Sequence, residues 1–312
     1  MAFYHIALQV WAERNESFDY TSDKAMLLAA EQLAPVIIDH VPDVIILVCG
    51  LALHSRGYDL INRLDIPAVT VLTESPYADI EHASMIKETP VVAAFTNERM
   101  SVNTLAEESG KPVFYLPHSF NPEVHYPRQV DNGYGTDVFF HGTMWPERKR
   151  LFGHLTGWAE EHHPEWEMLV GGVTATDHIT ADQAQPNAEL AKHYSGTKIA
   201  LNHNRTVIGK RDGGEWHLDS EAQSIGPRPY EIAACGAFQL SDYRAELGEV
   251  FGEAVQVYES PEELVDLVDW FLDEGEIDER QRIAEVARQR VQACSFERRV
   301  RDIILPALEQ VI

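Results

Sequence analysis

The segment Gly226-Pro227-Arg228-Pro229-Tyr230-Glu231-Ile232-Ala233-Ala234-Cys235-Gly236-Ala237-Phe238 has the residue types and spacing to hold a phosphorylated sugar. Its pattern predicts a short helix that starts from a proline-bearing loop, closes on a glycine and leads into an apolar strand, Phe238-Gln239-Leu240. Glu231, as a carboxylate in the first helical turn, would sit among free backbone N–H groups at the positive end of the helix dipole. Such a place suits a phosphate and a hydroxylated sugar held side by side. The same residues also fit a plain helix-to-strand connection, so the surroundings have to decide.

Further candidates follow apolar runs. After Asp137-Val138-Phe139-Phe140 come His141-Gly142-Thr143 and then Arg148, Lys149 and Arg150. Gly142 permits close backbone approach to a ligand, and Arg148 offers a bidentate fork to phosphate oxygens. A tight turn with a solvated basic helix face is the alternative. Leu201-Asn202-His203-Asn204-Arg205 sets polar side chains directly after a strand, facing a crevice or capping a turn. Lys210, within Gly209–Gly214, belongs to a loop able to close over an anion, or to a simple surface excursion. In the first half, Trp11-Ala12-Glu13-Arg14, Thr73-Glu74-Ser75-Pro76-Tyr77 and Leu116-Pro117-His118-Ser119 occupy similar places. Glu74 and His118 are the candidates there for orienting an acceptor hydroxyl or acting as a general base, although a lone histidine is often structural.

Strand-like runs alternate with helical patterns almost throughout, which predicts parallel α/β architecture. Strands are expected at Tyr4 to Val10, Val44 to Val48, Pro67 to Leu72, Val91 to Phe95, Val113 to Leu116, Asp137 to Phe140, Glu167 to Val170, Lys198 to Leu201 and Ala254 to Tyr258. Helices are expected at Lys24 to Asp39, Tyr58 to Leu64, Arg148 to Glu161, Leu190 to Tyr194, Arg280 to Cys294 and Phe296 to Val311. Ser260-Pro261-Glu262-Glu263 has the form of a capping box. The loop-like stretch Pro117 to Thr136 is the expected linker between two doubly wound Rossmann-like domains, with the ligand crevice at the carboxyl ends of their strands.

Composition narrows the class. At 312 residues the chain accommodates two domains of about 150 residues each. Its net charge of −25 opposes long-range attraction to nucleic acid or anionic lipid, although Arg14, Arg56 and Arg63 could line a local groove. Three cysteines without a Cys-x-x-Cys pair argue against a disulfide framework and fit a reducing, cytoplasmic setting. The longest apolar run, Val44 to Leu53, is too short to span a bilayer. A dinucleotide Gly-x-Gly-x-x-Gly, a Walker motif and a His-Glu-x-x-His pair are all missing, and no metal site is expected.

The runs Tyr194 to Asn202 and Arg228 to Phe238, followed by Asp242-Tyr243, Glu246-Leu247, Phe251 and Tyr258 to Leu264, resemble the C-terminal half of CgeB-like glycosyltransferases, the spore-maturation family. Gly142 to Arg148, Leu116-Pro117-His118 and Thr73 to Tyr77 are similar as well. The resemblance implies a GT-B fold with two Rossmann-like domains facing each other across a cleft. It implies an acceptor-side domain over 1–130, a donor-nucleotide domain over 131–295 and a terminal helix, 296–312, crossing back to the first. It further implies retaining, metal-independent transfer from a nucleotide-diphosphate sugar, a UDP-sugar foremost, to a hydroxyl acceptor, with no other cofactor. Glu231 would meet the donor ribose; the helix N-terminus, Arg148, Arg228 and Lys210 would meet the diphosphate; and Gly142, Thr143, Gly172, Asn202 and Tyr230 would line the donor site, Gly171-Gly172 near the base. Many retaining relatives carry a second glutamate seven positions before the first, where this chain has Ser224. The acceptor stays open among proteins, glycans, small molecules and hydroxylated DNA bases. A nucleotide-sugar epimerase or hydrolase, or a non-catalytic nucleotide-sugar-binding protein, are the rival readings.

Overall fold

Runs of apolar residues form parallel strands, and the amphipathic stretches between them form helices, in a computed structural model that describes residues 27, 30–51, 53–172, 185–208, 217–218 and 222–312. The chain divides into two units: one holds the described residues up to Leu116 plus Ile304–Ile312, and the other is Pro117–Ile303. The expected strand Tyr4 to Val10, the start of the helix from Lys24, and the Gly209–Gly214 loop with Lys210 lie outside the described residues.

In the first unit, helix α1 (Leu33–His40) is followed by β1 (Ile45–Val48), α2 (Ser55–Leu64), β2 (Ala68–Leu72), α3 (Asp79–Glu88), β3 (Val91–Thr96), α4 (Ser101–Ser109) and β4 (Val113–Tyr115). The four strands are parallel and lie in sequence order. Side chains alternate between the two faces because the strand period is two. Ala68, Leu72 and Ala94 pack with Tyr58, Ile61, Ile86 and Leu105 from the helices, whereas Val69, Ala93 and Phe95 pack with Ile304, Ala307 and Leu308. The expected helix Phe296 to Val311 is interrupted: one turn at Phe296–Arg299 passes through a π-type segment, Val300–Ile304, into Leu305–Val311. Pro306 stands in the first turn of that last helix, where its missing N–H costs little.

The second unit continues with β5 (Val138–His141), α5 (Pro146–His162), β6 (Met168–Gly171), α6 (Asn187–Gly196), β7 (Ile199–Asn202), the short antiparallel pair β8 (Val207–Ile208) and β9 (His217–Leu218), then α7 (Pro227–Ala234), β10 (Gln239–Asp242), α8 (Ala245–Phe251), β11 (Gln256–Tyr258), α9 (Pro261–Leu272) and α10 (Ile277–Val291). Five strands make an all-parallel sheet in the order β11-β10-β7-β5-β6. Val138, Phe140, Ile199 and Leu201 pack with α5 and α9 on one face. Phe139 and Ala200 pack with α6 and α7 on the other. Burial on both faces is why these strands read as unbroken apolar runs. Pro117 to Thr136, expected as a linker, packs within this unit: Phe120 is in its core and forms a parallel bridge with Ser295.

At α9 the serine half of the capping box forms, and the glutamate reaches back to the residue before the cap instead of to the cap's own N–H. Ser260 Oγ accepts from Glu263 N at 3.0 Å, and Glu263 Oε2 accepts from Glu259 N at 2.7 Å. Ser260→Ala should therefore lower the stability of the unit by about 1 kcal/mol. Calorimetric unfolding checks this; an unchanged transition would show that α9 is held by packing alone.

Candidate functional site

The strand order of the second unit reverses its direction of growth between β5 and β7. The chain leaving β5 runs to α5 on one face and the chain leaving β7 reaches α7 on the other, which opens a crevice at the carboxyl ends of both strands. Arg228, from the first turn of α7, occupies this point. Its Nη2 donates to the His141 carbonyl at 2.9 Å and its Nη1 to Asn202 Oδ1 at 3.4 Å, so one guanidinium bridges the ends of β5 and β7. Its cationic carbon also lies 4.9 Å from the Phe140 ring centroid. Close approach here demands glycine: a Cβ on Gly142 would strike the Arg228 guanidinium, and one on Gly172, at φ +146°, would strike the Gly142 carbonyl.

Two more arginines converge on the same end of the sheet. Arg148, 5% exposed, donates to the carbonyls of Thr143, at 2.8 Å, and of His203. Arg244, 6% exposed, donates to the carbonyls of Arg205, at 2.8 Å, and of Ala222. Among the described residues, Arg148, Arg228 and Arg244 form no ion pair with a carboxylate; their partners are carbonyl and amide oxygens. Among the described residues, the buried Nε atoms of Arg148 and Arg244 have no hydrogen-bond partner. Burial, and then the charge of Arg228, bring Arg148 down to about 10, so it stays cationic at neutral pH. His203 is held below its ordinary range by burial; Asp242 opposes this, while Arg148, Arg244 and Arg228 reinforce it.

A lattice of side chains fixes the segment that leads into α7. Asp242 Oδ1 accepts from Asn204 N at 2.7 Å and from Asn204 Nδ2 at 2.9 Å. Glu246 Oε2 accepts from Ile225 N at 2.7 Å, and Gln239 Nε2 donates to the Pro229 carbonyl at 3.2 Å. Asn202, 2% exposed, donates to Ser241 Oγ at 2.8 Å, while its own carbonyl accepts from the Tyr258 hydroxyl at 2.8 Å. That leaves the Tyr258 oxygen to accept from His203 Nδ1 at 3.0 Å.

The structure corrects one expectation about Glu231. Helix α7 begins at Pro227 with Gly226 as its cap, so its first turn holds no acidic residue and Glu231 stands in the second turn. Pro227 and Pro229 have no N–H, Ile225 N is taken by Glu246, and Gly226 N lies 3.5 Å from Asn204 Oδ1. Arg228 N is therefore the donor left at this terminus. The Glu231 side chain is 15% exposed, with Oε1 3.9 Å from Nε2 of the buried His125. Burial raises the Glu231 pKa, and Arg228 opposes the rise. His125 Nδ1 accepts from Asn121 N at 3.3 Å, which places the ring proton of the neutral form on Nε2, facing Glu231.

The other expected residues scatter. Thr143 contributes its carbonyl to Arg148 and Trp145 N. Tyr230, expected beside the donor, is 0% exposed and packs against Phe251 at 5.9 Å, because it points into the core beneath α7. Glu74 is exposed in the first unit, its carbonyl accepting from Ala78 N at 3.1 Å. His118, in the second unit, is half-buried, and its carbonyl faces Arg299 Nη2 at 3.3 Å. Burial and then Arg299 push His118 down to about 4, so it is neutral at physiological pH. Asp242, Arg244 and Glu246 were missed as site residues; polar positions ending the apolar run Phe238-Gln239-Leu240 were the available signal.

Parallel sheets with a cationic switch point define the class, and solved structures agree: the fold is that of GT-B glycosyltransferases. Sucrose-phosphate synthase (tll1590) from Thermosynechococcus elongatus superposes with a TM-score of 0.62 over 92% of this chain and 78% of its own, at 13% identity. Anabaena Alr3699/HepE, solved in complex with UDP-glucose, does so with a TM-score of 0.58 over 89% and 82%, also at 13% identity. A family model described as glycosyl transferase-like matches residues 128–304, more than half of the chain, and the chain belongs to that family. The spore protein CgeB of Bacillus subtilis (strain 168) is 27% identical over 244 residues, 75% of this chain and 74% of that protein. The resemblance to CgeB-like glycosyltransferases holds. Among the described residues no helix is long and apolar enough to cross a membrane.

The burial of His125 has a measurable consequence. Burial, opposed by a backbone hydrogen bond with Asn121 and reinforced by Arg128, lowers it to about 4 from an ordinary 6.5. Between those values the unfolded chain binds a proton that the folded chain refuses, so stability falls as the pH drops through this window. At pH 5 the loss from this group should be about 2 kcal/mol relative to pH 7.5. Urea unfolding of wild type and His125→Gln at both pH values checks this; equal pH dependence in the two proteins would contradict it.

Proposed function

We propose that this chain transfers a sugar from a nucleotide-diphosphate donor, a UDP-sugar foremost, to a hydroxyl acceptor in the cytoplasm. The observation that carries the reading is the convergence of Arg148, Arg228 and Arg244 at the carboxyl ends of β5, β7 and β10 with no carboxylate paired to them among the described residues. Taking a cation out of water costs several kcal/mol unless an anion compensates it. A diphosphate docking at the switch point supplies that anion. Arg228 is the contacting group, together with its own N–H at the start of α7 and Lys210. Arg148, whose terminal nitrogens are engaged with carbonyls, contributes its charge.

Glu231 then meets the donor ribose. One turn beyond Arg228 on the same helix, it is a partly exposed carboxylate whose raised pKa reflects burial. Two ribose hydroxyls donating to it would restore the hydrogen bonds lost on desolvation. Gly142 and Gly172 let the backbone approach the nucleotide, with Gly171-Gly172 near the base, and Asn202 holds Arg228 in place. The UDP-glucose held by the Anabaena relative supports this class of donor.

As the bond to the sugar breaks, negative charge grows on the departing diphosphate, where the arginines and the α7 dipole stabilise it without reorganising. With the positive charge supplied in this way, the transfer is read as metal-independent and as retaining, by attack on the face from which the diphosphate leaves. Ser224, seven residues before Glu231, faces the sugar in this reading. His118, neutral, accepts from the acceptor hydroxyl in this reading. The acceptor is a hydroxyl of a protein, glycan, small molecule or hydroxylated DNA base, and the net charge of −25 disfavours the last of these.

Glu231→Gln keeps the shape and removes the charge. Calorimetric titration with UDP-sugars should show affinity reduced by about tenfold or more, and turnover reduced with it, the scale of a lost charged hydrogen bond. Unchanged donor affinity together with unchanged turnover would overturn the ribose assignment. Tight donor binding without any transfer or hydrolysis by the wild type would favour a binding protein instead.

A further inference from the structure

A buried histidine faces the carboxylate of α7. His125 is 3% exposed, and its Nε2 is buried without a hydrogen-bond partner among the described residues. Glu231 Oε1 lies 3.9 Å from that nitrogen, about 1 Å beyond hydrogen-bonding distance. A buried N–H left unpaired is unfavourable, and the acceptor it lacks is a small side-chain movement away.

The chain around the ring is held from both sides. Asn121 Oδ1 accepts from Glu123 N at 3.0 Å, and the Asn121 carbonyl accepts from Val124 N at 3.1 Å and His125 N at 2.8 Å, which winds residues 121–125 into a turn. Asn121 N closes that turn on His125 Nδ1 at 3.3 Å. Before the turn, Phe120 shares a core with Tyr230, Ala233 and Ala234 of α7. Within it, Val124 packs against the cluster of Phe139, Tyr194 and Ile232, and its carbonyl accepts from Arg128. After it, Pro127 lies against Gly236, just beyond the end of α7: a Cβ there would come within 3.3 Å of Pro127 Cγ. The imidazole is therefore the fixed partner. The Glu231 side chain, 15% exposed and with a soft terminal torsion, is the movable one.

We propose that His125 is a positioning residue for Glu231: its Nε2–H takes one lone pair of the carboxylate and aims the others at the ribose hydroxyls of the donor, a role that rests on the ribose contact proposed for Glu231. A carboxylate has about four acceptor sites on its two oxygens, so one imidazole and two hydroxyls fit together. Docked hydroxyls favour the ionised carboxylate, which is also the stronger acceptor for the imidazole, so each bond reinforces the other. Burial raises the Glu231 pKa and holds His125 at about 4, so the ring serves as a neutral donor while Arg228 supplies the opposing charge.

Calorimetric titration with UDP and with its dideoxyribose analogue tests this role, because the ratio of the two affinities isolates the ribose hydroxyls. The wild type should prefer UDP by about tenfold or more. His125→Phe, which keeps a ring and removes the N–H, should lower that preference by about fivefold while the dideoxy analogue binds as to the wild type. His125→Gln, whose amide can donate from near the Nε2 position, should keep most of the preference. If His125→Phe fails to fold, the wild type isotope-labelled in its histidines decides: UDP, and not the dideoxy analogue, should move downfield one Nε2–H resonance that is missing from His125→Gln. A wild type indifferent to the hydroxyls, or a preference that survives Glu231→Gln, would overturn the ribose contact and this role with it. A preference removed by Glu231→Gln but kept in full by His125→Phe, one lost equally in His125→Phe and His125→Gln, or an unmoved resonance would overturn the role of His125 alone.

Discussion

The site depends on one guanidinium. Arg228 joins the carboxyl ends of β5 and β7 at the single place where the sheet of the second unit changes its direction of growth. A doubly wound sheet must leave a crevice there, since the chains leaving the two strands depart to opposite faces. A cation in that crevice is expensive unless its donors are satisfied and its charge is answered. The protein supplies carbonyl and amide oxygens for the donors. In the proposed function a diphosphate answers the charge.

The rest of the second unit serves to keep that geometry. Gly142 and Gly172 let two backbone segments meet under the guanidinium. Asp242 at the end of β10, Arg244 just after it and Glu246 in the first turn of α8 hold the described segments at either end of the β7-to-α7 connection through backbone groups of Asn204, Arg205, Ala222 and Ile225. Charge-assisted bonds of this kind are stronger than neutral ones, and in a site shielded from water their donors and acceptors are costly to leave unpaired. The described residues next to α7 are thereby held where the helix must begin, and with them Arg228 and Glu231. The locally cationic site coexists with an overall charge of −25 because the acidic residues are spread over the chain.

The strands were legible because parallel strands are buried on both faces: Val138 to Phe140 and Ile199 to Leu201 are apolar without interruption and are 0–1% exposed. The cap at Ser260 was legible because it is a local hydrogen-bonding pattern. The depth of Glu231 was not, since the start of α7 is set by Pro227 and by a cap at Gly226 that the sequence placed only approximately. Tyr230 has the chemistry of a ligand contact but its rotation about α7 sends it into the core. The lattice around Asp242 joins residues 38 and 39 positions apart, and no local pattern records such pairings. The left-handed turn at Cys49 was hidden for the same reason, because its hydrogen-bond partners lie in β2 and α2.

The central claim is that the cation at the switch point holds the donor's terminal phosphate. Calorimetric affinities of UDP and UMP for the wild type and for Arg228→Met test it directly, because the difference between the two nucleotides isolates that phosphate. The wild type should prefer UDP by about tenfold or more, and Arg228→Met should lose most of the preference while binding UMP nearly as before. A variant that folds and keeps the full preference for UDP would contradict the account.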